Sequence, residues 1–148
     1  MKIALVGFQV YPQKDLQLFD KYIGLKYKNL GRSFDGVDCF GLICLIYAEE
    51  RNTILPDFTE LRYSQDWYKE ENHILDNIWT DWKEINSQYK IYDGLLFYNS
   101  SQKIVVNHIG IYIGNDKFLH IQENQTSMIS RLDKFWTSKL YKGLRWQK

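Results

Sequence analysis

Cysteine is nearly absent from this 148-residue chain, with two residues, and proline is equally scarce, also with two. Two cysteines exclude a disulfide-framed fold. Cys39 and Cys44 fall in one predicted helix; five residues turn a helix by about 500°, so their side chains diverge by roughly 140°. That divergence argues against a bridge between them and against a shared metal. The three histidines contain no H-x₃₋₅-H pair, and no metal or other cofactor is expected. The chain has no Pro/Gly-rich linker, no repeat and no low-complexity tract, so residues 1–148 read as one domain. Long hydrophobic runs are missing too. The longest, Cys39 to Ala48, is about half the roughly 20 residues that a bilayer span needs. The opening MKIALVGFQVYPQ meets Gln9 and Pro12 too early for a signal-peptide core, which predicts synthesis in the cytoplasm and no membrane partner. Charge of either sign is not in excess. A net charge of +1 leaves no footprint for nucleic acid or an anionic membrane.

What is present is a core. Hydrophobic residues make up 45% of the chain and aromatics 16%, which excludes a disordered chain. Residues 1–10 alternate weakly, as an edge strand would. Residues 15–23 (DLQLFDKYI) read as a short amphipathic helix ended by Gly24, and 24–37 as a glycine-punctuated loop. Residues 38–50 (DCFGLICLIYAEE) are apolar almost all round. They predict the buried central helix, with Asp38 as its N-cap. Residues 62–86 show Trp67, Ile74, Leu75, Ile78 and Trp82 at helical spacing. From residue 93 the period becomes two, and 93–99, 103–114, 116–122 and 127–132 read as strands. A helix near 132–139 and a strand near 140–146 follow. Helices first and an antiparallel meander second predict an α+β fold, with the sheet packed on helix 38–50.

Cys39 stands out for chemistry. It opens a buried helix after a glycine-rich loop, and a helix N-terminus carries about half a positive charge, which lowers a thiol's pKa. Cys44, mid-helix between Ile43 and Leu45, fits the ordinary reading of cysteine as a small buried hydrophobe. A thiolate needs a base and a group to orient that base. His73, amid Glu70, Glu71 and Asn72, reads as surface. His108 is mid-strand in NHIGIYIG, on the face opposite Ile109, Ile111 and Ile113, with Gly110 leaving room beside its ring. His120 lies in the next strand. A strict two-residue turn at Asn115-Asp116 sends the two imidazoles to opposite faces, whereas a three-residue loop or one bulge restores a common face; both registers remain open at this level.

These residues resemble the NlpC/P60 family of cysteine peptidases, a papain-like fold cut to its minimum. Three blocks carry the resemblance: GRSFDGVDCFG (31–41) with a D-C-x-G nucleophile motif, NHIGIYIG (107–114) with H-x-G-I-Y, and FLH (118–120) with the third polar residue. The similarity covers about residues 15–146. The fuller string GRSFDGVDCFGL, with the following acidic helix end and LPDF, is similar to the phage tail-associated branch.

The resemblance implies Cys39 as nucleophile, His108 as base and His120 as the residue orienting it, with no cofactor. It implies Tyr27 as a substrate-contacting tyrosine and Asp38 as the acid that binds the free amine of a peptidoglycan stem peptide. Phe40 stands where the family often has an amine-binding serine. The implied bond joins D-γ-glutamate to diaminopimelate or lysine, and the implied setting is the virion tail, with other tail-tip proteins as partners. A structural tail-assembly part with a vestigial site, or an amidase toxin or acyltransferase on the same fold, are the alternatives. Residues 57–90 read as a helical insertion, either a lid over the cleft or a docking face.

Overall fold

The computed structural model describes residues 3–6, 9–12, 17–56, 80–103 and 105–148. His73, Trp67, Ile74, Leu75 and Ile78 lie outside these residues, as does the part of the 57–90 insertion before Thr80.

The chain opens with an antiparallel hairpin, β1 (Ile3–Val6) and β2 (Gln9–Pro12). Of the helix that the sequence predicts over 15–23, residues 15 and 16 lie outside the described residues; Gln17 is helical, and a 3-10 turn follows at Asp20–Tyr22. Phe19 and Tyr22 are buried while Ile23 is exposed. Gly24, at φ +85°, ends the turn in a conformation that suits glycine. A tight hairpin follows, β3 (Arg32–Ser33) and β4 (Gly36–Val37), and leads directly into the central helix.

That helix, α1 (Cys39–Arg51), starts where the sequence places it. The Asp38 carboxylate accepts from the Gly41 N–H at 2.7 Å, satisfying one of the orphan donors of the first turn. Asn52 closes the helix in a left-handed conformation, φ 48°. All nine residues from Cys39 to Tyr47 are buried, as an all-round apolar helix requires. Gly41 is fixed by packing, because a Cβ there would collide with the Gly31 carbonyl and stand 2.7 Å from the Arg32 guanidinium. The glycine of the D-C-x-G motif therefore lets the loop lie flat on the helix start.

The sheet has six antiparallel strands. In chain order they are β5 (Trp82–Ile85), β6 (Gly94–Tyr98), β7 (Val106–Gly114), β8 (Lys117–His120), β9 (Met128–Arg131) and β10 (Leu140–Trp146). In space the order is β5-β10-β6-β7-β8-β9. The meander β6 to β9 follows the expected period-two segments. Its neighbour β10 returns to lie between β6 and β5. Strand β5 corrects the helical reading of 62–86 at its end: Trp82 and Ile85 belong to a strand that pairs with Trp146 and Gly143.

Both faces of the sheet are covered. Ile109, Ile111, Leu119 and Ile121 pack with Leu42, Ile43 and Ile46 of α1. Each side chain buried in this way contributes about 1.5–3 kcal/mol. On the other side, Leu95, Phe97, Tyr112 and Phe118 form a second cluster. It is roofed by Trp136 of the short helix α2 (Lys134–Thr137). Polar clasps close the start of β6. Asp93 takes two hydrogen bonds from Arg145, at 2.9 and 2.7 Å, and the Tyr47 hydroxyl donates to the Tyr92 carbonyl at 2.7 Å. This buried α+β core, one main helix against an antiparallel sheet, sets the start of α1 beside the strands that carry both histidines.

Candidate active site

The hairpin between β7 and β8 decides where the histidines point. Asn115 and Asp116 both take positive φ (53° and 57°), as a two-residue hairpin turn needs. Next to the turn Gly114 pairs with Lys117, but one step further Tyr112 pairs with Phe118. One residue, Ile113, is therefore extra on β7. This bulge shifts the register by one and brings His108 and His120 to a common face. Gly110 lies between them in the pleat; a Cβ there would stand 2.8 Å from the Phe118 ring and 3.2 Å from the His120 Cβ. The glycine is what lets the two imidazoles meet.

They meet closely. His108 Nε2 lies 2.8 Å from His120 Nδ1, and His120 Nε2 lies 2.8 Å from the Ser130 hydroxyl. Ser130 was not singled out in the sequence. Its signal was strand alternation: His120 pairs with Met128, so Ser130 is its diagonal neighbour on the same face. The three groups form a directed chain. If His108 Nδ1 is to accept a proton, Nε2 must carry hydrogen and donate it to His120 Nδ1. His120 must then hold its own hydrogen on Nε2 and donate it to Ser130. Trp136 packs against both rings. Its ring centroid is 5.9 Å from that of His108 and 4.9 Å from that of His120.

Cys39 reaches the same place from the helix start. The backbone N–H groups of Ile109 and Phe40 donate to its sulfur, and Ile109 immediately follows His108. Cys39 and Cys44 are both free thiols. Cys39, His108 and Tyr27 share a cavity of about 300 Å³ with Glu123, Trp136 and Lys139. Tyr27 is held there by bridges on both sides, Lys26 to Thr126 and Tyr27 to Val37.

Electrostatics differ from the sequence expectation. A helix N-terminus alone lowers a thiol's pKa, but burial pushes the Cys39 thiol up to about 12, and the adjacent Asp38 carboxylate adds to the rise. Burial, aided by His120 and Lys139, holds His108 well below the usual histidine range. Burial also lowers His120 to about 4. All three shifts favour the neutral form, since charge is costly where water is excluded. The resting pair is a neutral thiol beside a neutral imidazole.

Asp38 and Phe40 do not line the cavity. One Asp38 oxygen accepts from the Gly41 N–H and from Arg32 at 2.9 Å, and the other from the Leu30 N–H at 2.9 Å. Phe40 lies under the Arg32 guanidinium, 5.6 Å from ring centroid to Cζ. The acid implied as an amine receptor is thus engaged in capping the helix and fixing the loop. Among the described residues, no cluster of His, Cys, Asp and Glu is suited to hold a metal ion. No helix among them is long and apolar enough to cross a membrane.

The model of the NlpC/P60 family matches residues 24–145. The chain is 27% identical over 120 residues to the "Probable endopeptidase NlpC homolog" of Haemophilus influenzae, covering 80% of this chain and 54% of that protein. It is 28% identical over 127 residues to the "Gamma-DL-glutamyl hydrolase" of Bacillus subtilis, covering 84% of this chain and 27% of that one. The chain therefore spans about half the length of the first relative and about a quarter of the second. Among solved structures it is similar to an NlpC/P60 family protein from Bacillus cereus, with a TM-score of 0.60 at 18% identity over 92% of this chain and 40% of that one. It is also similar to the NlpC/p60 domain of the peptidoglycan hydrolase SagA, with a TM-score of 0.57 at 20% identity over 89% and 96% of the two chains. The chain belongs to the NlpC/P60 family of cysteine peptidases.

Proposed function

We propose that this member of the NlpC/P60 family hydrolyses an amide bond in the stem peptide of peptidoglycan, with Cys39 as nucleophile, His108 as general base and acid, and His120 as the residue that positions His108. The observation that carries this reading is the directed contact of His108 with His120, beside a thiol at a helix start in the same cavity. The printed names of the relatives, an endopeptidase and a γ-glutamyl hydrolase, support an amide bond as the target.

The steps follow from the neutral resting pair. His108 Nδ1 takes the thiol proton as the Cys39 sulfur bonds to the substrate carbonyl carbon. The backbone N–H of Cys39, at the start of α1, stabilises the developing oxyanion. The C–N bond breaks, the leaving amine takes the proton from His108, and a thioester remains. Water then attacks the thioester while His108 accepts its proton, and the sulfur leaves as a thiol. Proton transfer in step with attack avoids a standing thiolate–imidazolium pair, which burial disfavours here.

The bond is the one from D-γ-glutamate to diaminopimelate or lysine, and the setting is a phage tail. Support for the setting is the string GRSFDGVDCFGL at 31–42 with LPDF at 55–58, which resembles the tail-associated branch. Purified stem peptides incubated with the chain, read by mass spectrometry, test the reaction. Cleavage at the γ-glutamyl bond that disappears in a folded Cys39→Ala variant supports it. Equal cleavage by that variant overturns it. Phage particles that infect normally with Cys39→Ala but fail without the chain would assign the protein to tail assembly instead.

A further inference from the structure

The cleft has charges that the hydrolytic steps leave unused. Among the residues lining the cavity, Lys139 is the cation and Glu123 the carboxylate. Lys139 is a built feature of the wall. Its backbone N–H donates to the Trp136 carbonyl at 3.0 Å and its own carbonyl accepts from the Tyr98 N–H at 2.7 Å, so its Cα is tied to both α2 and β6. Its ammonium group lies 4.4 Å from the Phe135 ring centroid and 5.2 Å from that of Trp136. Two aromatic faces hold the charge in place at small cost in hydration. Among the described residues no ion pair of Lys139 is found. The same Trp136 ring touches His108, and the ammonium charge bears on the imidazole.

We propose that Lys139 is a substrate-binding residue that receives a free carboxylate on the leaving side of the scissile amide. The argument is positional. His108 returns its proton to the leaving nitrogen, so the group beside His108 faces the leaving residue. In an amino acid that leaves by its α-amine, the α-carboxylate is attached one carbon from that nitrogen, within the reach of a cation sharing the wall with the base. The carboxylate is free where the leaving residue ends its peptide, or where that residue continues through its side chain, as in a γ-linked chain. The selected class is therefore peptides with an unamidated α-carboxylate next to the cleaved bond, which among stem peptides means those that end at the leaving diamino acid. Among the residues lining the cavity, Lys139 is the one that carries positive charge next to the base.

This inference deepens the hydrolytic reading and relies on it for the direction of the leaving group, so its test does not require hydrolysis. The folded chain is alkylated with iodoacetate, which carries a carboxylate, and with iodoacetamide, its neutral analogue. Labelling of Cys39 and Cys44 is followed by peptide mass spectrometry in the wild type, Lys139→Gln and Lys139→Arg. Dividing the two rates at Cys39 removes any change in thiol ionisation, because both reagents use the same thiolate. The expected result is a fall of about ten-fold in the iodoacetate-to-iodoacetamide ratio in Lys139→Gln, with the ratio kept in Lys139→Arg and constant at Cys44. An unchanged ratio in Lys139→Gln overturns the proposal, and so does a wild-type Cys39 that neither reagent labels. If the ratio behaves as expected but no stem peptide is cut, the hydrolytic reading fails and the carboxylate site stands.

Discussion

His120 Nδ1 approaches His108 Nε2 at 2.8 Å, and the same imidazole ends on the Ser130 hydroxyl through its other nitrogen. Because each ring passes its hydrogen in one direction, the state of the base at Cys39 depends on a serine two strands away.

Replacing Ser130 tests that dependence. Ser130→Ala removes the acceptor for the His120 N–H and leaves a buried donor unpaired, at a cost of about 1–3 kcal/mol. The His120 hydrogen then moves to Nδ1 in part of the population, which forces hydrogen onto His108 Nδ1 and blocks it as a base. We expect kcat/KM on a stem peptide to fall about ten-fold with little change in KM, and Ser130→Thr to retain activity. Nitrogen-15 shifts of the two imidazoles read the tautomers directly. A single unchanged tautomer in Ser130→Ala would refute the relay.

Gly110→Ala tests the gap between the rings. The added methyl meets the Phe118 ring at 2.8 Å and His120 at 3.2 Å, so His120 must move. Overpacking of this kind costs about 1–3 kcal/mol, and the loss of activity should exceed what the fraction unfolded explains. Denaturant melts and turnover measured together separate the two effects.

The histidines also set an acid limit. His120 titrates near 4 in the folded chain, against about 6.5 when unfolded. Above pH 6.5 both states are neutral and the stabilisation is complete. As pH falls from 6.5 to 4 the unfolded chain binds a proton that the folded chain refuses, so stability drops through that window, by about 3 kcal/mol for this group. His120→Gln should flatten the dependence. A melting temperature constant from pH 7 to pH 4 in the parent chain would contradict the shift.

The thiol has the opposite dependence. With Cys39 raised to about 12 by burial and Asp38, its alkylation at pH 7 should be at least about ten-fold slower than that of an exposed thiol of ordinary pKa near 8.5. The rate should climb steadily into alkaline pH. A plateau already reached near neutrality would instead reveal a standing thiolate.

Much of this was legible in the residues because it is local. The cap at Asp38, the buried run of α1 and the alternation of β6 to β9 are short-range patterns, and they matched the structure. Two features were not legible, for different reasons. The facing of His108 and His120 turned on one bulged residue, Ile113, which no alternation pattern shows. Strand β5 gains its partners from residues about 60 positions later, so Trp82 and Ile85 could be read as helical until those partners were placed. The packing of Trp136 on two imidazoles was not legible either, because His108 and His120 stand on strands well before it in the chain.

Among the described strands, β5 pairs only with β10, and β10 alone bridges it to the rest of the sheet. The order of synthesis therefore differs from the order of assembly. The hairpins of β6 to β9 close over short loops and can form as they emerge, whereas β5 must wait, unpaired, until residues 143–146 have been made. A nascent chain halted before β10 would present the histidine meander with a missing flank, and the strand edge of β6 would be open to pairing with another chain.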